Sequence, residues 1–575
     1  MKRYWKYIRP YIQYYILGPC FMMMEVVGDV LLPYMLAKII NQGIAERNVV
    51  YIIKIGVIMG FIAVIMAVGG VLGAWFASKA AMNFGADLRM DLFEKIQQFS
   101  FQNIDNFSTG SLITRLTNDI TQIQNMIMMT LRMCLRSPGI LIGAMVMAFV
   151  ISPKLAAIFI IVLPVLAVLI VVIMRRAFPQ FRTLQEKLDA LNSCIQEGLV
   201  GIRLIKSFVR GDYEEMRFEK RNQQLKEANL TAMKTMLLYT PLMTLALNIT
   251  TVVVVWSGGN MIVAGNMQVG DLTAFTNYIV QIMSSLTMLS IAFLNWARAI
   301  ASFRRVGEVL DEKIDLTDEN AKHKDRAVCE GSVEFQNVSF RYYKNRPGWV
   351  IENISFKLEA GKTLGIIGPT GSGKSTLVSM IPRLYDTDEG AVLVDGINVR
   401  DYGLKPLREG IGMVLQNNML FSGSITENLK WGDEHADEKA VRKAAQNAQA
   451  AGFIDSFKDG YRTRLEQSGN NVSGGQKQRL CIARALLKCP KILILDDSTS
   501  AVDTATERAI REALHSEYKD MTKIIIAQRI RSVMDADEIL VLDNGKTAGF
   551  GTHEQLLADC PVYREIYDVQ NGREE

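Results

Sequence analysis

The chain has 575 residues, enough for about three globular domains on length alone. It is 49% hydrophobic, and its apolar residues crowd into the amino-terminal half while charged residues dominate the rest, so one part reads as membrane and the other as soluble. A formal net charge of +5 is small for this length, which implies no nucleic-acid partner; the basic residues gather instead beside the apolar spans, as an inner membrane surface favours.

In chain order, about six apolar spans come first, most of them near or above the ~20 residues that cross a bilayer. Their expected limits are 14–39, 52–78, 137–151, 155–173, 236–263 and 272–297. The third is short and interrupted by Gly139 and Gly143. The first is too long for a cleavable signal, and no small-residue cleavage site follows it. The links after the first, third and fifth spans are short and poor in basic residues, carrying Arg47, Lys154 and none. The links at 79–136 and 175–234 are long and rich in Lys and Arg. The positive-inside rule therefore puts both termini and both long links in the cytoplasm of a multi-pass protein of the cell's inner (plasma) membrane. The long links keep a helical period, so the spans are expected to continue as helices into the cytosol, with reversals near 107–118 and 198–208.

Glu25 and Asp29 stand one helical turn apart inside the first span. Carboxylates in hydrocarbon face a bundle interior or a water-filled cavity. They fit recognition of a cationic substrate, or a polar contact with a neighbouring helix. The 29 methionines, with a cluster at Met22, Met23 and Met24, suit an adaptable binding surface or ordinary apolar filling.

Residues 301–330 are charged, lack a long apolar run and read as a linker. Alternation over 332–342 and 351–358 predicts strands. Tyr342, at the end of the first, could stack on an adenine ring or simply pack. Next comes the apolar run Thr363–Ile367, then Gly368, Pro369, Thr370, Gly371, Ser372, Gly373, Lys374, Ser375 and Thr376, then a helical pattern. Strand, glycine loop and helix in that order form a P-loop in its required context. Its backbone N–H groups would nest phosphate oxygens, Lys374 would reach the β- and γ-phosphates, and the Ser375 hydroxyl would ligate Mg²⁺. A second apolar strand ends in Asp496, the expected carboxylate on the Mg²⁺ side. Between them, Ser473, Gly474, Gly475 and Gln476 open a helical run and offer another anion site. The seven cysteines include no C-x-x-C pair, which argues against metal or redox motifs and fits a reducing cytosol.

This ordered set resembles the ATP-binding cassette of ABC transporters, and the order of membrane part before cassette resembles an ABC exporter half-transporter of the type IV fold. The resemblance implies an all-α transmembrane domain of six long helices over 1–300, the linker, and an α/β P-loop cassette over 331–575. It implies ATP and Mg²⁺ as cofactors, bound between two cassettes arranged head to tail. By the same resemblance Tyr342 is the adenine-stacking aromatic, Gln416 the Q-loop glutamine that senses Mg²⁺, Ser473–Gly474–Gly475–Gln476 the signature, Asp496 the Walker B aspartate, and residues 500–503 the D-loop. The two reversals correspond to coupling helices.

Two positions depart from the family pattern. Asp497 stands where the family has the Glu that polarises attacking water, and Gln528 where it has the switch His. The shorter carboxylate reaches about an ångström less far, and reach is a strict requirement for a general base. Glutamine can hydrogen-bond a γ-phosphate oxygen but cannot carry charge. The chain's four histidines, His323, His435, His515 and His553, lie elsewhere. The resemblance therefore implies the degenerate subunit of a heterodimeric bacterial multidrug exporter, whose catalytically competent partner half-transporter hydrolyses ATP while small amphipathic compounds leave across the bilayer by alternating access. A homodimeric lipid or drug exporter, and an ATP-gated membrane regulator that does not pump, stay open as alternatives.

Overall fold

A computed structural model describes residues 2–344, 348–498 and 502–571. The chain divides into two compact units: Met1–Gln97 with Thr109–Asp311, and Gln98–Ser108 with Glu312–Glu575.

The first unit is helical. After the short α1 (Trp5–Ile8) come α2 (Ile12–Lys38) and α3 (Val49–Gln97), followed by α5 (Thr109–Thr114), α6 (Ile120–Met133), α7 (Arg136–Ile151), α8 (Pro153–Val200), α9 (Ile202–Ser207), α10 (Gly211–Leu237), α11 (Tyr239–Val263) and α12 (Val269–Asp311). The short α4 (Phe101–Asp105) belongs to the second unit. At about 1.5 Å per residue, the 49 residues of α3 reach far beyond a bilayer core of about 30 Å. Ile53, Val57, Phe61, Val64, Val68, Val71 and Trp75 recur along it every three or four residues and are half or more exposed. Such a stripe is unfavourable in water and suits lipid. The opposite face is small: Gly69 and Gly73 approach Phe21 and Gly18 on α2 so closely that an added Cβ would lie 3.0 and 3.2 Å from their carbonyl oxygens. Small residues bring helix backbones into dispersion contact where lipid offers no hydrophobic drive. Farther along the bundle, Phe159 and Phe275 stack, and Tyr278 donates a hydrogen bond to the Val30 carbonyl at 2.7 Å.

Among the described residues, five helical segments are long and apolar enough to cross a membrane: Trp5–Ile44, Val49–Gln97, Thr109–Ile151, Pro153–Val200 and Gly211–Val263. The short third span thus ends a 43-residue helical run. The sixth expected span lies within α12, several side chains of which fall outside the described residues. The first expected reversal needs correction. Helicity breaks at 98–100 and again at 106–108, on either side of α4, so only the start of the expected 107–118 is a break; Ser100 caps α4 with a reciprocal Ser100–Asn103 capping box and the chain resumes helix at Thr109. The second break, between Val200 and Gly211, falls where it was expected.

The second unit is α/β. Strands β1 (Val333–Phe340), β2 (Ile351–Leu358), β4 (Glu389–Val394) and β5 (Ile397–Asn398) form a four-stranded antiparallel sheet in the order β2-β1-β4-β5. A six-stranded sheet adds β3 (Thr363–Ile367), β6 (Ile411–Val414), β9 (Ile492–Asp496), β10 (Thr522–Ile526), β11 (Glu538–Asp543) and β12 (Lys546–Gly551), ordered β12-β11-β3-β10-β9-β6. All of its pairings are parallel except β11 with β12. The parallel strands β3 and β9 are buried at every position, as strands covered on both faces must be. Helix α13 (Lys374–Ser379) follows β3, and α14 (Leu404–Glu409) precedes β6. A helical region follows with α15 (Ile425–Leu429), α16 (Glu438–Asn447), α17 (Ala451–Ser456) and α18 (Gly474–Leu487), joined by the small β7–β8 pair (Gly423–Ser424, Arg464–Leu465). Helix α19 (Thr504–Glu517) connects β9 to β10.

Candidate functional site

The loops that leave the carboxyl ends of β3, β9, β10 and β6 carry Lys374, Asp497, Gln528 and Gln416. Ligands of parallel α/β sheets bind outside these strand ends. A cleft of about 210 Å³ opens there, lined among others by Thr370, Gly371, Gly373, Lys374, Ser375 and Thr376 together with Gln416, Asp496, Asp497 and Gln528. Residues scattered over more than 150 positions of sequence therefore share one cavity.

The glycine loop owes its shape to left-handed backbone. Gly371 and Gly373 have φ of 86° and 92°. At Gly373 an added Cβ would sit 2.6 Å from Ile351 Cγ2 and 3.0 Å from the Val350 carbonyl oxygen, so both conformation and space require glycine. Lys374 Nζ donates to the carbonyl oxygens of Gly368 and Pro369, each at 2.8 Å, and lies 3.5 Å from Ser372 Oγ. Burial pushes the Lys374 ammonium below its ordinary value, while Asp496 and Asp497 pull it back up. Ser375 Oγ donates to Asp496 Oδ1 at 2.9 Å. That hydroxyl and that carboxylate are an all-oxygen pair of the kind that holds Mg²⁺ alongside phosphate, so the residues present fit the ion.

Burial pushes both Asp496 and Asp497 above the usual carboxylate range. Partners oppose this at both: Ser375 and Lys374 for Asp496, against the added repulsion of Asp497; Gln528, Lys374, Arg529 and Gln416 for Asp497. The two positions that depart from the family pattern touch each other. Gln528 Nε2 donates to Asp497 Oδ2 at 2.8 Å, and the Asp497 N–H donates to the Ile526 carbonyl at 3.1 Å. Asp497 holds a left-handed φ of 48°, a conformation Asp tolerates better than most residues.

Tyr342 lies just past the end of β1 rather than on it, and its hydroxyl shares a 2.8 Å hydrogen bond with Thr376 Oγ1. Its ring meets Phe340 and Tyr385 edge-on. Ser473, Gly474, Gly475 and Gln476 are elsewhere, at the start of α18. There Ser473 Oγ accepts from the Gln476 N–H at 3.3 Å and Gln476 Oε1 accepts from the Ser473 N–H at 2.9 Å. They are not among the residues lining the cleft. Of the expected D-loop, residues 500 and 501 lie outside the described residues.

In the helical unit, Glu25 and Asp29 share one cation: Arg136 Nη2 lies 2.8 Å from Glu25 Oε1 and 3.4 Å from Asp29 Oδ2. Sequence reasoning missed Arg136. Its signal was there, a basic residue immediately before the third apolar span. It also missed Tyr385, whose hydroxyl donates to Asp105 of α4 at 3.0 Å and whose ring meets Phe101 and Tyr342. Nothing in the local pattern around Tyr385 marks it.

A P-loop cassette joined to a bundle of membrane-length helices defines an ATP-dependent membrane transporter. Residues 15–286 match the ABC transporter transmembrane region and residues 351–500 the ABC transporter family. The chain is 39% identical over 574 residues to the uncharacterized ABC transporter ATP-binding protein YfiB of Bacillus subtilis, covering 100% of this chain and 99% of that one. It is 33% identical to the putative multidrug export ATP-binding/permease protein YgaD of the same organism, covering 99% of both. The structure of a bacterial Atm1-family ABC exporter with ATP bound superposes with a TM-score of 0.81 and 24% identity over 98% of both chains, which establishes the fold. The chain belongs to the ABC transporter family, as a half-transporter with one transmembrane domain and one ATP-binding cassette.

Proposed function

We propose that this chain is the nucleotide-holding subunit of a heterodimeric exporter in the plasma membrane, moving amphipathic compounds outward while its own ATP site turns over slowly or not at all. The observation that carries this reading is the contact between Asp497 and Gln528 in the nucleotide cleft. A carboxylate of Asp length, held by an amide that cannot take up charge, is poorly placed to activate water. Lys374, with Thr370, Gly371, Ser372, Gly373 and Thr376, binds the phosphates of ATP, and Tyr342 bears on the base. Ser375, Asp496 and Gln416 would hold Mg²⁺, which when bound offsets charge on the phosphate oxygens. Ser473, Gly474, Gly475 and Gln476 complete the partner's site across a head-to-tail dimer. Hydrolysis there resets the transporter.

Glu25, Asp29 and Arg136 sum to one excess negative charge, which favours cationic amphipathic substrates. YgaD's description as a multidrug exporter agrees with that class. Neutralising both carboxylates should weaken transport of cations into inverted vesicles more than that of neutral compounds; equal loss for both classes sinks this assignment.

One observation favours a second reading. A carboxylate whose proton affinity is raised by burial, as that of Asp497 is, makes a better base, so a self-sufficient homodimer with a slow Asp base is the competing arrangement. Steady-state ATP turnover by the chain purified alone, with ATP binding as the folding control, separates the two. Binding without turnover, restored by a competent second half-transporter, supports the heterodimer. Turnover that Asp497→Ala abolishes overturns it.

A further inference from the structure

The cassette holds a second cleft that the nucleotide site does not use. It measures about 550 Å³ against about 210 Å³ for the nucleotide cleft, and the two share no lining residue. Its floor is Thr363 and Lys523, register partners in the parallel β3–β10 pair, so both side chains lie on one face of the sheet. Helix α19 contributes Arg508, Arg511 and His515, and the turn after β10 contributes Arg531. Lys523 is the second residue of β10 whereas Gln528 follows its far end, a separation of roughly 16 Å along a strand.

Lys523 is the unusual group. It is 4% exposed; its backbone N–H donates to the Lys362 carbonyl at 3.0 Å, but among the described residues its ammonium has no hydrogen-bond or ion-pair partner. Asp537 and Asp520 act on it only at longer range, and burial lowers its proton affinity. The stem is buried while the ammonium reaches the cleft with no protein acceptor, so a ligand that enters the cleft would meet an uncompensated charge. The acidic groups facing the cleft are already matched: Glu512 lies 3.0 Å from Arg508, and Asp535 lies 3.4 Å from Arg511. Arg511 also donates to the Arg531 carbonyl at 2.6 Å, yet among the described residues its buried Nε has no partner. Positive charge and an unused donor therefore converge on one cavity. Leu514, Ile525 and Met534 supply an apolar wall beside them.

We propose that this cleft binds a small organic phosphate, its oxyanion held by Lys523 and Arg511 and its apolar portion laid against Leu514, Ile525 and Met534. Phosphate supplies the acceptor oxygens that these donors lack, and charge-assisted hydrogen bonds of this kind are about twice as strong as neutral ones. Helix α19 and strand β10 each run from this cleft to a loop of the nucleotide site, so occupancy would stiffen both.

The test uses pyridoxal 5′-phosphate, itself a small organic phosphate with an apolar ring, on the full-length chain in lipid nanodiscs with MgATP present to shield Lys374. Its aldehyde condenses with a lysine amine to an imine, releasing water, and borohydride reduces the imine to a stable secondary amine that peptide mass mapping locates. The expected result is modification of Lys523 that phenyl phosphate suppresses by about ten-fold and that Arg511→Gln or Arg508→Gln lowers to a similar degree, with ATP affinity unchanged. Failure to modify Lys523 while exposed lysines react overturns the proposal. So does modification of Lys523 that phenyl phosphate leaves unchanged, since that marks a merely reactive amine.

Discussion

Lys374 is where one side chain decides most. It currently satisfies its ammonium with the carbonyl oxygens of its own loop, two hydrogen bonds of 2.8 Å that compete with phosphate. Lys374→Met should cost roughly 2 kcal/mol of ATP affinity, about 30-fold in Kd by calorimetry, because a charge-assisted contact disappears. Asp496 and Asp497 give a pH prediction whose sign follows from burial. Both have folded-state pKa values above their unfolded ones, so between those values the folded state holds more protons and stability falls as pH rises through the window. The nucleotide-free protein should therefore be less stable above the window than its Asp497→Asn variant, as read by thermal unfolding. Mg²⁺-dependent ATP binding should weaken as pH falls through the same window, since Asp496 must be ionised to take the metal. Equal unfolding profiles for the two proteins would remove this account.

At the scale of elements, the glycine loop and the α2–α7 contact are the sensitive joints. Gly373→Ala forces a Cβ onto Ile351 and Val350 at a left-handed φ. It should destabilise the loop by about 1–3 kcal/mol and abolish ATP binding while circular dichroism stays near that of the native chain. Arg136 joins α7 to α2 through two carboxylates. Arg136→Met alone leaves both partly exposed negative charges unpaired and should lower the unfolding temperature, by a change of about 1 kcal/mol. The triple variant Glu25→Gln, Asp29→Asn, Arg136→Met should recover most of that loss, because no unpaired charge remains at the joint. A triple variant as unstable as the single one would show that packing, not charge pairing, holds this joint. Much of the element level was legible. The apolar spans, the strands before the P-loop and the second break in helicity follow from composition and period. The first break was misplaced by several residues because it depends on a Ser100–Asn103 cap among helix-compatible residues, which hydropathy does not register.

For the whole molecule, the question is whether one chain can complete a hydrolytic cycle. Asp497→Glu combined with Gln528→His should give the chain's own site a base of the family's length and a switch that can carry charge. Turnover by the chain alone should then rise by about 100-fold, the lower range of general-base effects. Unchanged turnover in a variant that still binds ATP would mean that the limit lies outside these two positions. The cleft beside α19 belongs to this scale as well. Its cations come from residues 508–531 and its floor includes Thr363, so no single stretch of sequence could announce it.

The sequence by itself determined the membrane part and the P-loop, and its resemblance to the family marked the cassette and the two departures at Asp497 and Gln528. Each of these is written in hydropathy, in glycine spacing or in a short motif, and such signals are local. Tertiary structure alone decided that Gln528 donates to Asp497, that Arg136 neutralises part of the Glu25–Asp29 pair, and that the Lys523 ammonium faces a cleft with no partner among the described residues. Those facts depend on which strands lie side by side and which helices touch. Sheet order and helix packing are set by many weak contacts between residues far apart in the chain, so they leave no mark in any one segment.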